Sequence, residues 1–183
     1  MKIGLFFGSF NPIHTGHLII ASYLLQTTDL DKVWLVVSPQ NPLKNKDTLL
    51  NEYDRLHLIN LAIEDNPNLS VSNIEFSLPK PSYTIDTLTY LSEKHPQHQF
   101  CLIMGSDNIE TLHKWKNYEQ IIAKYPIYVY KRRGSDSNPY TDNPNVKMLD
   151  FPFIDISATF IREGINKGIS MQYFLPTKVW NYI

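Results

Sequence analysis

Residues 8–17 read Gly8-Ser9-Phe10-Asn11-Pro12-Ile13-His14-Thr15-Gly16-His17, between an apolar run from Ile3 to Phe7 and an amphipathic stretch over 16–26. A short apolar strand, a turn rich in Gly, Asn and Pro, and then a helix make the opening of a βα unit. At such a junction the unpaired N–H groups of the first helical turn and the positive end of the helix dipole face one spot, and that spot favours an anion. Gly8 permits close backbone approach at the turn, and Pro12 stiffens it. The spacing predicts His14 just ahead of the helix and His17 in its first turn, with both imidazoles on one side. Phosphate oxygens are natural partners for such a pair. Two other readings stay open at this point: a metal-binding pair, for which no cysteine or acidic third ligand lies alongside, and a pair that is merely structural.

The rest of the chain continues the alternation. Strand candidates are Lys2–Phe7, Val33–Ser38, Leu69–Glu75, Phe100–Gly105 and Ile127–Tyr130, with a weaker one over Val146–Leu149. Helix candidates are Gly16–Gln26, with Leu18, Ala21, Ser22 and Leu25 on one face, and Glu52–Glu64, with Leu56, Ile59, Ala62 and Ile63 on one face and Asn51 as N-cap. Four more run over Thr84–Lys94, Asn117–Lys124, Ala158–Lys167 before Gly168, and Pro176–Ile183 with Pro176 in the first helical position. The pattern predicts an α/β fold: a three-layer, Rossmann-like parallel sheet with helices on both faces, in one domain spanning 1–183. In such sheets ligands bind beyond the carboxyl ends of the strands, where the strand order reverses, which directs attention to the loops at 8–17, 39–46, 80–86, 105–116 and 131–134.

The chain has 183 residues, 43% of them hydrophobic, and a formal charge of −1. Its isoelectric point near 6.6 supplies no global basic field for a nucleic-acid backbone, so nucleic acid is not an expected partner and any anion must be held locally. The single cysteine, Cys101, lies in an apolar run and reads as a small buried hydrophobe in a reducing compartment. Gly8, Asn11 and Pro12 interrupt the N-terminal apolar run before it could serve a signal peptide, and no stretch approaches the roughly 18 apolar residues of a membrane span. The expected location is cytoplasmic, with no membrane partner and a homo-oligomer left open.

Near the other end of the chain, Ile156-Ser157-Ala158-Thr159-Phe160-Ile161-Arg162 reads as a second helix start. Ser157 is the N-cap, and Arg162, one turn in, can fork across phosphate oxygens. An ordinary capped helix with a surface arginine would look the same. No G-x-x-x-x-G-K-[ST] run occurs, which excludes a P-loop as the source of phosphate binding.

The two segments resemble the paired signatures of the nucleotidylyltransferase superfamily: HxGH in the first, and an ISSTxIR-like run in the second, with Ala158 where relatives carry another serine. Five further runs resemble one branch, the bacterial nicotinate mononucleotide adenylyltransferases: SPQNPLK (Ser38–Lys44), SYTIDTL (Ser82–Leu88), GSDN (Gly105–Asn108), HKWKNYEQI (His113–Ile121) and the closing segment Ile161–Ile183. The resemblance implies adenylyl transfer from ATP to nicotinate mononucleotide, with His14, His17 and Arg162 catalytic. It implies an ATP site of Gly8, Ser9, Phe10, His14, His17, Gly105, Asp107, Arg132, Ser157, Thr159 and Arg162, completed by the C-terminal segment 157–183. It implies Mg2+ arriving with ATP and no metal held by protein ligands.

For the acceptor the resemblance implies Asn41, Lys44, Tyr83, Thr84, Trp115 and Lys116. Asn41 and Lys44 offer an amide and a cation for a phosphate, although a loop lysine is often simply solvated. Tyr83 and Thr84 open a helix whose N–H groups suit a carboxylate, as they would in any capped helix. Trp115, flanked by Lys114 and Lys116, offers a face for a pyridine ring, or else packs its own loop. The sequence departs from the family at Arg133, where relatives have proline in an RPG run, and at Phe7 and Asn11. A sister transferase using nicotinamide mononucleotide or another phosphate acceptor, and an adenylate-sensing module without turnover, remain alternatives.

Overall fold

The computed structural model describes residues 1–39, 49–135 and 138–183. The opening apolar run forms strand β1 (Lys2–Gly8), which lies in the interior of one parallel sheet beside β2 (Lys32–Val37) and β4 (Gln99–Gly105). Leu5 stands beside Trp34 on one side and Leu102 on the other. With β3 (Leu69–Ser72), β5 (Ile127–Tyr130) and β6 (Val146–Met148) the order is β3-β2-β1-β4-β5-β6. The order reverses between β1 and β4, so a crevice opens beyond Gly8 and Gly105.

Both faces of the sheet are covered, which is why its strands read as nearly continuous apolar runs. Alternation along β1 sends Phe6 into one apolar cluster and Ile3 and Leu5 into another. The first cluster takes in side chains of α1 (Thr15–Thr27), α2 (Glu52–Ile63), α6 (Ala158–Asn166) and α7 (Thr177–Tyr182). The second takes in those of α3 (Thr84–Lys94), α4 (Ser106–Thr111) and α5 (Tyr118–Lys124). The three predicted layers are present.

Several details differ from the expectation. On α1 the buried residues are Gly16, Ile20, Ala21 and Leu24; Ser22 is exposed, and Leu18 and Leu25 sit at the margin. Leu18, Ile19 and Ile20 follow one another, so the pattern alone does not fix the phase of the stripe. On α2 Leu58 joins Ile59, Ala62 and Ile63 in the core, and so does Arg55. β3 stops at Ser72, because the chain turns into a 3-10 helix over Ile74–Phe76 that buries both Ile74 and Glu75. The loop expected after β4 contains α4 and a 3-10 turn over Leu112–Lys114, both too short to show a period. Asn51 caps α2, accepting from Tyr53 N at 2.9 Å, whereas Pro176 is the N-cap of α7 and Thr177 its first residue. Gly168, at φ +71, closes α6 in the left-handed conformation. Among the described residues no helix is long and apolar enough to cross a membrane.

Candidate active site

The loop after β1 is held from both sides. Phe10 has a φ of 45°, a left-handed conformation that costs a side-chain-bearing residue on the order of 1–3 kcal/mol. Its ring is buried directly over Gly8, where any Cβ would approach the ring carbons to about 3 Å. The close approach foreseen at Gly8 is therefore made by the ring of Phe10. On one side of Phe10 the Ser9 carbonyl accepts from Arg55 Nη1 at 2.6 Å. On the other, the Asn11 carbonyl accepts from Arg162 Nη1 at 2.7 Å. That second bond joins the two signature segments from opposite ends of the chain.

His14 is the N-cap residue of α1 and His17 lies three residues on, as expected, with the rings stacked at 3.7 Å between centroids. His17 is edged by Phe10 at 5.0 Å and Phe6 at 5.9 Å. Its Nδ1 accepts from the His14 backbone N–H at 3.3 Å, so the neutral ring carries its proton on Nε2 and can donate from there. His14 is only 4% exposed, and its Nδ1 has no hydrogen-bond partner among the described residues. Burial, with the nearby charge of Arg132 adding to it, holds its pKa down to about 4. At neutral pH His14 is therefore an uncharged donor.

Across the crevice, Ser106 Oγ accepts from the Arg132 backbone N–H at 2.8 Å, and the Arg132 guanidinium pairs with Asp107 at 3.5 Å. Gly105 makes room for this pair: a Cβ there would fall against Asp107 Oδ1 and 2.6 Å from Arg132 Cδ. Ser157 caps α6, its Oγ accepting from Phe160 N at 3.2 Å, and Thr159 Oγ1 accepts from Arg162 Nη2 at 3.3 Å. Arg133 pairs with Asp155 at 3.1 Å on the surface. Gly8, Ser9, Phe10, His14, His17 and Arg162 thus share a network of contacts, while Arg132, joined to Gly105 and Asp107, acts on His14 through its charge.

The residues expected to take the acceptor form a second group. Lys116 pairs with Asp86 at 2.9 Å and lies over the Tyr83 ring at 4.7 Å, which ties the loop before α5 to the start of α3. Tyr83 is the N-cap residue of α3, exposed, and Thr84 opens the helix. Trp115 is half-buried against the apolar cluster beneath α3 and α5, less polar surroundings than its lysine neighbours suggest. Asn41 and Lys44 lie outside the described residues. Among the described residues no group of three or more His, Cys, Asp or Glu side chains is placed to hold a metal ion.

Two buried charged residues escaped the sequence reading. Arg55 is fully buried and donates from Nε to the Leu50 carbonyl at 3.0 Å, from Nη1 to Ser9 and Ser38, and from Nη2 to Pro39 at 3.1 Å. It pins the loops after β1 and β2 together, while Leu50 N donates to Asn11 Oδ1 at 3.1 Å. Its position beside Leu58 and Ile59 on the apolar stripe was the available signal. Glu75 is 3% exposed and accepts from Thr87 Oγ1 at 2.9 Å.

A model of the cytidylyltransferase-like family matches residues 5–164. A protein of Flavobacterium psychrophilum named "Probable nicotinate-nucleotide adenylyltransferase" is 55% identical, over 100% of this chain and 96% of its own length. One of the same name from Cytophaga hutchinsonii is 53% identical, over 98% and 93%. Among solved structures, the Plasmodium falciparum nicotinic acid mononucleotide adenylyltransferase complexed with NaAD is similar at a TM-score of 0.84, covering 100% of this chain and 94% of that one. At 19% identity that likeness speaks for the fold.

Proposed function

Since the chain belongs to the nicotinate-nucleotide adenylyltransferase family, we propose that it transfers the adenylyl group of ATP to nicotinate mononucleotide, giving nicotinate adenine dinucleotide and pyrophosphate in NAD biosynthesis. The observation that carries the reading to particular residues is the bond from Arg162 to the Asn11 carbonyl, which draws the two signature helix starts toward one crevice.

A phosphate oxygen of the mononucleotide attacks the α-phosphorus of ATP in line. The bond from that phosphorus to the bridging oxygen breaks, and the oxygen leaves with its electron pair on pyrophosphate. No protein nucleophile is needed. Two anions must meet, so positioning and charge stabilisation carry the catalysis. His17, through Nε2–H, and the Arg162 guanidinium, which keeps donors beyond those spent on Asn11 and Thr159, bind the oxygens on which charge builds. Neutral His14 donates without adding charge, and Arg132 supplies a cation beside it. The segment 157–183 completes the ATP site through Ser157, Thr159 and Arg162, and Gly105 with Asp107 forms its adenosine side.

Mg2+ enters as part of the nucleotide substrate, where it neutralises triphosphate charge. Tyr83, Thr84, Trp115 and Lys116, with Asn41 and Lys44, take the acceptor. The free, buried Cys101 fits a reducing cytoplasm.

Pyrophosphate release, measured in parallel with nicotinate and nicotinamide mononucleotides, tests the reading. Turnover with the nicotinate compound is expected; turnover with the amide alone would transfer the assignment to a sister enzyme, and ATP binding without any release would make the chain a sensor.

A further inference from the structure

Among the described residues Glu75 is the buried carboxylate, and nothing in the reaction above uses it. It sits just beyond the carboxyl end of β3, in the 3-10 turn Ile74–Phe76. Thr87, fully buried on α3, donates to it at 2.9 Å, and the same Oγ1 lies 3.4 Å from the carbonyl of Tyr83 at the start of the helix. Burial pushes the Glu75 carboxyl pKa up. A buried carboxyl group held by a hydroxyl is a costly way to gain stability that an apolar side chain would supply better. What it does achieve is orientation, since the Thr87 hydroxyl ties the turn after β3 to the first turn of α3.

We propose that Glu75 is a positioning residue for the acceptor, holding the turn after β3 and the first turn of α3 in fixed relation through Thr87 so that Tyr83 and Thr84 face the pyridine mononucleotide. This rests on the function proposed above. Its donor Thr87 does not belong to the residues assigned to ATP, so its loss acts on one substrate and spares the other.

The test is steady-state kinetics of the full chain and of Glu75→Ala, Glu75→Gln and Thr87→Val, varying ATP and nicotinate mononucleotide separately. Losing the oriented hydroxyl raises KM for the mononucleotide about tenfold in Glu75→Ala, the worth of roughly one hydrogen bond, and leaves KM for ATP within about twofold. Thr87→Val shifts the same constant in the same direction by less. Glu75→Gln, which keeps an oxygen for Thr87, falls between wild type and Glu75→Ala. KM does not depend on the fraction of protein folded, so a merely structural residue would lower turnover and move neither KM. Equal changes in both constants, or none, in variants with native circular dichroism overturn the proposal. If Glu75→Ala does not fold, the nearly isosteric Thr87→Val decides alone. Wild-type turnover with an unmoved KM in the variants defeats this inference only, whereas absence of wild-type turnover with the nicotinate compound defeats the function on which it rests.

Discussion

His14 and His17 share one turn of helix and differ in burial, His14 buried and His17 half-buried. His17 is partly exposed and has its Nδ1 fixed by the His14 backbone, which makes Nε2 the proton-bearing, donating atom of the ring. Removing one such preorganised donor typically costs on the order of 10²–10³ in turnover. His17→Ala is expected to lose that much kcat in a pyrophosphate-release assay while its thermal melt stays cooperative; near-wild-type turnover would remove His17 from catalysis. His14 instead affects stability through pH. Its folded pKa of about 4 lies below the ordinary 6.5, so protons favour the unfolded chain. The stability due to the neutral ring is complete above about pH 6.5 and drains away as pH falls toward 4, a loss of up to ~3 kcal/mol over that interval. Asp29, held down to about 2 chiefly by its bond to Lys2, loses its own contribution at lower pH still. Urea melts of wild type and His14→Gln between pH 7 and 4.5 separate the two: the variant should show the flatter dependence, and parallel curves would mean that His14 is not buried neutral.

At the scale of single elements, α6 carries Arg162 into the site, and its start depends on Ser157. That hydroxyl accepts from Phe160 N, so Ser157→Ala removes a cap worth about 1 kcal/mol, a fall in Tm of roughly 2–4 °C for a chain of this size. A differential scan checks it, and an unchanged Tm would mean that the cap is replaced by water or backbone. The same element shows what sequence can convey. Ser157, Arg162 and the closing Gly168 carry local chemistry that means the same in any context, as does the strand-turn-histidine opening. Long periods and bounded apolar runs were equally legible, so the helix Thr84–Lys94 and the strand Ile127–Tyr130 lie where the residues put them. What failed had no local expression. α4 has six residues, less than two turns, and shows no stripe. Arg55 looks like a surface arginine until its four carbonyl partners, three of them from other loops, arrive by tertiary folding. Glu75 breaks a strand pattern because a buried carboxylate stands where alternation offers only a side chain in or out. The convergence of the two signatures was inferred from a resemblance, and the coordinates supply its physical form in Arg162 and Asn11.

For the whole molecule, the order β3-β2-β1-β4-β5-β6 sets the loop after β1 and the Gly105 loop on either side of the reversal, but it does not by itself bring the C-terminal segment there. Apolar burial does that. Ile161, Met171, Leu175 and Val179 belong to the same core cluster as Phe10, Ile13 and Leu24 beneath the first loop, and Lys178 pairs with Glu64 at the end of α2. The segment proposed to complete the site therefore also covers the core of the fold. Burying each of the four side chains is worth about 1.5–3 kcal/mol, together roughly 6–12 kcal/mol, as much as the whole net stability of a typical domain at about 5–15 kcal/mol. The surface pair adds little beside this, at about 0–1 kcal/mol. A chain ending at Ile156 is accordingly expected to lose its cooperative thermal transition and to expose apolar surface to a hydrophobic dye, so that inactivity follows from unfolding. If the shortened chain instead melted cooperatively near the wild-type Tm and lost ATP turnover alone, the C-terminal helices would be an appendage that supplies ligands, and the binding site and the fold would be separable.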